Sequence, residues 1–226
     1  MNLTYYGHSC FGVEFGGVRL LFDPFISPNE LAKSIDPDSV PADYILISHG
    51  HFDHLADAVS IARRTGAVVV SNFEIIQWLG GQGVSNAHPM NHGGSHAFAF
   101  GSVKYVAAIH SSVLPDGTYG GNPGGFVVSG APGTFYYSGD TALTFDMKLI
   151  GEDFDVDFGV LPIGDNFTMG APDAAKAATF VGTSKVVGVH YDTFPPIVIE
   201  KAAAHAAFDK QGVALHLPKI GETISI

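Results

Sequence analysis

The sequence has little cysteine and little positive charge. Its 226 residues include one cysteine, Cys10, which excludes an intramolecular disulfide framework and suits a reducing compartment. A lone cysteine among apolar neighbours is more often a small buried side chain than a nucleophile. The 11 lysine and arginine residues are outnumbered by 22 acidic ones, giving a formal net charge of −11. This balance argues against nucleic acid as a partner, because phosphate contacts require clustered basic side chains.

Long apolar runs are also missing from the sequence. No stretch approaches 18 consecutive apolar residues, and the N-terminus lacks a basic region followed by an apolar one. We therefore expect no membrane span, no secretory signal and a cytoplasmic location. The hydrophobic fraction of 46% predicts a large core, and the length predicts one domain over residues 1–226. The sequence does not determine the oligomeric state.

Apolar runs punctuated by many of the 28 glycines predict mostly β-structure with a few helices. Amphipathic spacing predicts helices over 55–64, 73–79, 173–181 and 197–210. Strands are predicted over 3–6, 10–15, 18–22, 44–47, 67–70, 84–88, 97–100, 103–109, 126–129, 134–137, 157–161, 185–189, 213–217 and 223–226. Two successive β-rich segments with helices predict an α/β (α+β) fold, a four-layer sandwich of two sheets with helices on the outer faces.

The densest group of chemically active side chains follows the strand predicted at 44–47. Within six positions stand His49, His51, Asp53 and His54, a combination expected by chance roughly 0.002 times in such a chain. His49 and His51 alternate at a strand end, so both side chains leave on one side and can share a metal ion. Asp53 and His54 come where the chain turns into a helix, which favours a second ion.

Two ions need more ligands than these four, because a zinc ion takes about four. Three further candidates each follow a predicted strand: His110, Asp140 and His190. Any one of them alone would more often be a structural histidine or a turn aspartate. Their shared position at strand ends, where α/β folds gather their sites, favours a common role. We predict one ion on His49, His51 and His110, a second on Asp53, His54 and His190, and Asp140 as the bridge.

The sequence gives weaker support for a role of other polar residues at the site. His8, in a Gly-His-Ser turn, is expected near the site as a substrate or supporting group, with a simple turn histidine as an equal alternative. Asp165, Asn166 and Thr168 follow a strand and are predicted to bond metal-bound histidine or substrate, with capping of the loop as an equal alternative for Asn166 and Thr168. Structural or loop-packing roles are expected for the remaining histidines, which are His88, His92, His96, His205 and His216. A role at the rim of the site remains an alternative for His88, His92 and His96.

These motifs resemble the metallo-β-lactamase superfamily, whose H-x-H-x-D-H signature stands here at residues 49–54. The later ligands of that superfamily match His110, Asp140 and His190. The likeness extends to an uncharacterised group of metal-dependent hydrolases related to the ascorbate-phosphate lactonase branch. It is carried by Gly7-His8-Ser9, Asp23-Pro24-Phe25, Gly94-Ser95-His96, Gly139-Asp140-Thr141-Ala142, the run from Pro162 to Gly170 and the run from His190 to Pro195. The resemblance implies an αββα sandwich with a dinuclear site at one edge between the sheets.

The expected activity is metal-dependent hydrolysis of a small ester, phosphodiester or lactone. Two divalent ions, zinc foremost with manganese, nickel or iron as alternatives, would hold a hydroxide between them, with Asp53 and Asp140 as catalytic groups. Oxygen-reducing relatives of this fold resemble H-x-E-x-D-H, so the imidazole of His51 favours hydrolysis over iron redox chemistry. The alternative is a non-catalytic metal-binding or sensory protein that keeps the fold.

Overall fold

The computed structural model describes residues 1–226, which form fourteen strands in two seven-stranded sheets. The first sheet has the order β14-β1-β2-β3-β4-β5-β6 and the second β13-β12-β11-β10-β9-β8-β7. The strands are β1 Asn2–Gly7, β2 Cys10–Phe15, β3 Val18–Phe22, β4 Tyr44–Leu46, β5 Val68–Asn72, β6 Ala87–Met90, β7 Ser95–Phe98, β8 Gly101–Ala107, β9 Gly124–Gly130, β10 Gly133–Tyr137, β11 Phe158–Pro162, β12 Lys185–Val189, β13 Ala214–His216 and β14 Thr223–Ser225.

Six helices accompany the sheets. They are α1 Phe52–Leu55, α2 Ala58–Thr65, α3 Phe73–Gly81, α4 Met147–Asp153, α5 Ala171–Phe180 and α6 Lys201–Asp209. Short 3₁₀ turns lie at Glu30–Ala32, Pro37–Ser39 and Pro195–Ile197. No helix combines the length and the apolar character that crossing a membrane would require.

Three separate hydrophobic clusters confirm the predicted four layers. The central cluster of 21 buried residues draws side chains from both sheets, such as Phe22 of the first and Phe135 of the second. A second cluster packs α2 and α3 on the outer face of the first sheet, and a third packs α4, α5 and α6 on the second. The protein is therefore an αββα sandwich of two mixed sheets.

A hairpin at Gly16 and Gly17 joins the strands predicted over 10–15 and 18–22. Both glycines have positive φ, 58° and 86°, and the register pairs Phe15 with Val18 across the two-residue turn. Positive φ at both central residues matches the twist of the flanking strands and favours glycine. This turn aligns β2 with β3, whose end leads directly to the site.

The helix predicted over 55–64 is instead two helices, α1 and α2. The chain turns at Asp57, whose buried carboxylate accepts hydrogen bonds from the backbone N–H groups of Ile26 (2.6 Å) and Ser27 (2.9 Å). Satisfying these buried donors outweighs helix continuity, because an unpaired buried N–H is costly. The break separates the short helix that carries Asp53 and His54 from the packed helix behind it.

Two other helix predictions need correction. The sequence does not predict α4, which is only seven residues long and contains Gly151. The helix predicted over 197–210 begins only at Lys201, because Pro195 and Pro196 form a 3₁₀ turn before it. The strands predicted over 84–88, 97–100 and 103–109 are each displaced by about two residues in the structure.

Candidate metal centre

Strand polarity brings the predicted ligands to one edge of the sandwich. In the first sheet β3 and β4 are parallel, and in the second β10, β11 and β12 are parallel. Strand β8 runs in the same direction as β10, because each is antiparallel to β9. The residues that follow β4, β8, β10 and β12 therefore meet at the same edge, between the two sheets.

Asp140 lies at the centre of the cluster that results. Its Oδ2 atom lies close to the Nε2 atoms of four histidines: His190 at 2.9 Å, His54 at 3.2 Å, His110 at 3.7 Å and His49 at 4.0 Å. These donors come from both predicted ligand triads. One carboxylate oxygen thus stands between the two groups, as expected for a bridging ligand.

The two triads are separate groups in the structure. The ligand atoms of His49, His51 and His110 all lie within 4.8 Å of one another. The second group contains Asp53, His54 and His190, with Asp53 Oδ2 at 3.8 Å from the Nε2 atom of each histidine. The seven predicted ligands therefore converge at one edge of the sandwich, where Asp23, His49 and His54 form a third group that spans the two triads.

The second group has an additional member, His8. Its Nε2 atom lies 3.0 Å from Asp53 Oδ2, and its Nδ1 atom lies 2.9 Å from the hydroxyl of Thr193. His8 is buried, has a left-handed φ of 53° and packs its ring 4.2 Å from that of His190. Burial and the neighbouring His190 lower the pKa of His8 to about 4. Its side chain therefore orients Asp53 from the protein interior.

Asp23 fixes the orientation of His54, and the sequence analysis did not select it as a site residue. His54 Nδ1 lies 2.8 Å from Asp23 Oδ2, which also accepts hydrogen bonds from the hydroxyls of Ser48 (2.5 Å) and Tyr137. With its Nδ1 proton donated to Asp23, His54 directs the Nε2 lone pair at the cluster. The available signal was the position of Asp23 directly after β3, at the same edge.

Hydroxyl groups hold two histidines of the first group, His49 and His51. His49 Nδ1 lies 3.0 Å from Ser48 Oγ, and His51 Nε2 lies 3.3 Å from Ser111 Oγ. The inward nitrogens, His49 Nε2 and His51 Nδ1, are 3.0 Å apart. Each ring thus has one nitrogen held by the protein and one facing the cluster, which is the arrangement of metal-ligating histidines.

The electrostatics of the cluster suit a cation. Burial lowers the pKa values of His49, His51 and His110, which keeps these imidazoles neutral as coordination requires. Burial alone would raise the pKa of Asp140, but His190 and His54 outweigh it and the pKa falls well below the ordinary value. Burial also disfavours charge on His54, but Asp140 and Asp53 raise its pKa overall.

Buried atoms without hydrogen-bond partners give a direct test of the fit. His54 Nε2 and Asp140 Oδ1 are both fully buried and have no hydrogen bond of acceptable geometry. Such atoms cost about 1–3 kcal/mol each when nothing compensates them. A divalent ion would compensate both, and a set of imidazole and carboxylate donors suits zinc, manganese, iron or nickel. The residues present therefore fit the metal that the fold implies.

The loop residues predicted to contact substrate or ligands do not join the cluster by hydrogen bonds. Asp165 Oδ1 accepts from Asn166 N at 2.8 Å, and the Thr168 hydroxyl donates to Met169 O at 3.3 Å. These bonds lie within one turn, and a role of these residues in binding substrate or ligands stays a prediction. Their neighbour Phe167, which the sequence analysis passed over, lines the cavity beside the cluster.

The remaining histidines lie outside both metal-binding groups. His88 on β6 and His96 on β7 have ring centroids 3.9 Å apart and ring planes tilted by 34°, where the edge strands of the two sheets meet. His92 Nε2 lies 2.8 Å from Pro123 O, and its ring stacks on Tyr105. His205 lies on α6 and His216 on β13.

Replacing Asp23 with asparagine is expected to weaken metal binding by about 10–100-fold, because the His54 ring loses the acceptor that fixes its tautomer. Competition with a chromogenic chelator measures the affinity. Asp43→Asn is the control, since Asp43 pairs with Arg19 at the opposite end of β4. Thermal unfolding of the metal-free proteins separates lost affinity from lost stability. Equal affinity in the two variants would contradict the assigned role of Asp23.

The αββα sandwich and its edge cluster of histidines and aspartates define a metal-dependent hydrolase of the metallo-β-lactamase fold. A family model described as a beta-lactamase superfamily domain matches residues 2–190. A UPF0173 metal-dependent hydrolase from Methylacidiphilum infernorum is 53% identical over 224 residues, which cover 99% of each chain. Another from Christiangramia forsetii is 51% identical over the whole of both chains. This chain belongs to that family of metal-dependent hydrolases.

A solved structure agrees with this assignment. Igni18, a metallo hydrolase from the archaeon Ignicoccus hospitalis, superimposes with a TM-score of 0.89 at 34% sequence identity. The match covers 99% of this chain and 97% of Igni18. The predicted superfamily and the predicted fold are therefore both confirmed.

Proposed function

We propose that the protein hydrolyses a small ester, phosphodiester or lactone at a centre of two divalent metal ions. The observation that carries the proposal is the position of Asp140, whose Oδ2 atom lies within 4.0 Å of histidine nitrogens from both groups. Zinc is the first candidate for the ions, with manganese, nickel or iron as alternatives. The ligands would be His49, His51 and His110 for one ion, Asp53, His54 and His190 for the other, and Asp140 for both.

The chemistry of the centre would come from the ions. When bound, a pair of divalent ions lowers the pKa of a shared water towards about 7 and polarises the carbonyl or phosphoryl group under attack. The chain must then hold that water, position the substrate and limit the access of bulk solvent.

Asp53 is the carboxylate placed to orient the attacking water. Its side chain is 25% exposed and lines the cavity, whereas Asp140 is buried behind it. The pKa of Asp53 is lowered, because His54 and His8 outweigh the effect of its burial. An ionised carboxylate accepts a hydrogen bond from the water, and His8 keeps that carboxylate at a fixed angle.

The cavity beside the cluster favours catalysis over metal storage or sensing. It measures about 290 Å³, and the cluster contributes His51, Asp53, His110, Asp140 and His190 to its lining. Structural metal sites are closed, whereas catalytic sites keep a position open for water or substrate. The volume suits a small molecule rather than a polymer.

Metal removal tests the proposal. Protein dialysed against a chelator is expected to lose all turnover of p-nitrophenyl esters, bis(p-nitrophenyl) phosphate and a lactone panel. Adding Zn²⁺, Mn²⁺ or Ni²⁺ should restore it as two equivalents bind, because the seven ligands divide between two ions. Elemental analysis of the reloaded protein measures the stoichiometry. Fully loaded protein inert on every substrate, or saturation at one equivalent with full activity, would contradict the dinuclear hydrolase.

A further inference from the structure

The cavity beside the metal cluster is lined in part by aromatic rings and by no lysine or arginine. Apart from the five cluster residues, its lining consists of Ser111, Phe167 and Phe194. Sites that bind phosphate or carboxylate groups normally present arginine or lysine for charge-assisted hydrogen bonds. This cavity presents one hydroxyl and two apolar rings instead.

None of the 11 lysine and arginine residues lines the cavity, and several of them have other partners. Arg19 is paired with Asp43, Lys104 with Asp153 and Lys201 with Asp192. Lys148 lies over the rings of Phe145 and Phe180. Lys185 begins β12, at the opposite end of the strand from His190. No lysine or arginine lines the cavity, so an anionic group of the substrate would have only the bound ions to offset the carboxylates of Asp53 and Asp140.

The backbone holds Phe167 in place by a strained turn. Asp165 and Asn166 both have left-handed φ values, 61° and 55°, which are unfavourable for residues other than glycine. A bridge between Gly164 and Gly170 closes the turn, and Asp165 N donates to Met169 O at 3.1 Å. Strain of this kind persists where the surrounding structure enforces it, often at ligand sites. Here it leaves Phe167 53% exposed at the cavity.

Phe194 belongs to a larger aromatic surface. Its ring lies 5.4 Å from that of His8 and 6.3 Å from that of Phe25, which in turn contacts Phe52 at 6.0 Å. Phe52 is itself 55% exposed and immediately precedes Asp53 in α1. Aromatic surface exposed beside a polar catalytic group is typical of a pocket that binds an apolar part of its ligand.

We propose that the site takes an uncharged carboxylic ester or lactone whose apolar, preferably aromatic, group packs against Phe167 and Phe194. This inference rests on the proposed hydrolytic function. Water adds to the acyl carbon, the acyl–oxygen bond breaks, the alcohol leaves with a proton from the water, and a carboxylic acid remains. No further reactant is required.

Three esters and one variant test the inference on the metal-loaded enzyme. The esters are p-nitrophenyl acetate, p-nitrophenyl phenylacetate and its 4-carboxy analogue, which carries one negative charge on an otherwise equal acyl group. We expect the wild type to prefer phenylacetate over the charged analogue by at least about tenfold in kcat/KM. Phe167→Ala should reduce the preference for phenylacetate over acetate by about tenfold, because a hydrophobic contact of this size is lost.

Phe145→Ala is the matched control, because Phe145 is also exposed, at 72%, and does not line the cavity. It should leave both preferences unchanged within about twofold, and Phe167→Leu should retain most of the phenylacetate preference. Equal rates for neutral and charged esters, an unchanged preference in Phe167→Ala, or turnover of bis(p-nitrophenyl) phosphate alone would overturn the inference and leave hydrolysis standing. Loaded enzyme inert on all four compounds would overturn both proposals.

Discussion

Asp140→Ala is expected to lower hydrolysis by at least about 10³-fold, the largest effect of any single substitution at the cluster. Asp140 Oδ2 lies 2.9 Å from His190 Nε2 and 3.2 Å from His54 Nε2, in the position that would bridge the two ions. Without this carboxylate the ions lose a shared ligand and the negative charge that offsets their repulsion. Turnover of an activated ester, measured beside bound metal per chain, tests the expectation.

Two further variants make the Asp140 result specific. Asp140→Asn keeps the size of the side chain and removes its charge, so it should also lose activity if charge and bridging matter. Asp43→Ala removes a carboxylate that pairs with Arg19 at the opposite end of β4, and it should retain most of its activity. An Asp140→Ala protein that binds two ions and keeps its kcat would refute the bridging role.

Phe22→Ala should lower the free energy of unfolding by about 3–5 kcal/mol, the range typical of a buried phenylalanine truncation. Phe22 is fully buried between the sheets, and its ring contacts Phe11 at 4.5 Å and Phe135 at 5.7 Å. The cavity left by its side chain cannot close easily, because rings from both sheets surround it. Denaturant unfolding of the metal-free protein measures the loss.

The same substitution should also weaken metal binding. Phe22 is followed directly by Asp23, whose carboxylate holds His54, so loosening of β3 should weaken metal binding as well as stability. Phe145→Ala serves as the control, because truncation of an exposed ring is expected to change stability by less than about 1 kcal/mol. A Phe22→Ala protein as stable as this control would show that the central cluster is not the main source of stability.

Spacing along the sequence was sufficient to predict the proximity of the first four ligands. His49 and His51 are two positions apart at a strand end, and Asp53 and His54 follow within three residues, so their proximity is a property of the chain itself. His110, Asp140 and His190 required one further rule, that the carboxyl ends of parallel strands meet at one edge. The structure places all seven side chains together, and their role as ligands remains a prediction for the metal analysis above.

No local sequence pattern predicted the hydrogen bonds that support the ligands. His54 and Asp23 are 31 positions apart, and His8 and Thr193 are 185 apart. The position of Asp23 directly after β3 was a signal, but it does not by itself distinguish a histidine acceptor from an ordinary aspartate before proline. The turn that carries Phe167 is a similar case, because the polar residues Asp165 and Asn166 suggest substrate contacts, whereas it is the Phe167 ring after them that lines the cavity.

The order of strands and helices, the six-residue metal motif and the strand-end ligands were thus readable from the amino acids, because periodicity and spacing are local properties. The break at Asp57, the tautomer of His54, the support of Asp53 by His8 and the aromatic lining of the cavity depended on the packed structure. Each of these is a contact between distant segments, made when buried donors and acceptors must find partners away from water. Which donor pairs with which acceptor is decided only when the two sheets pack against each other.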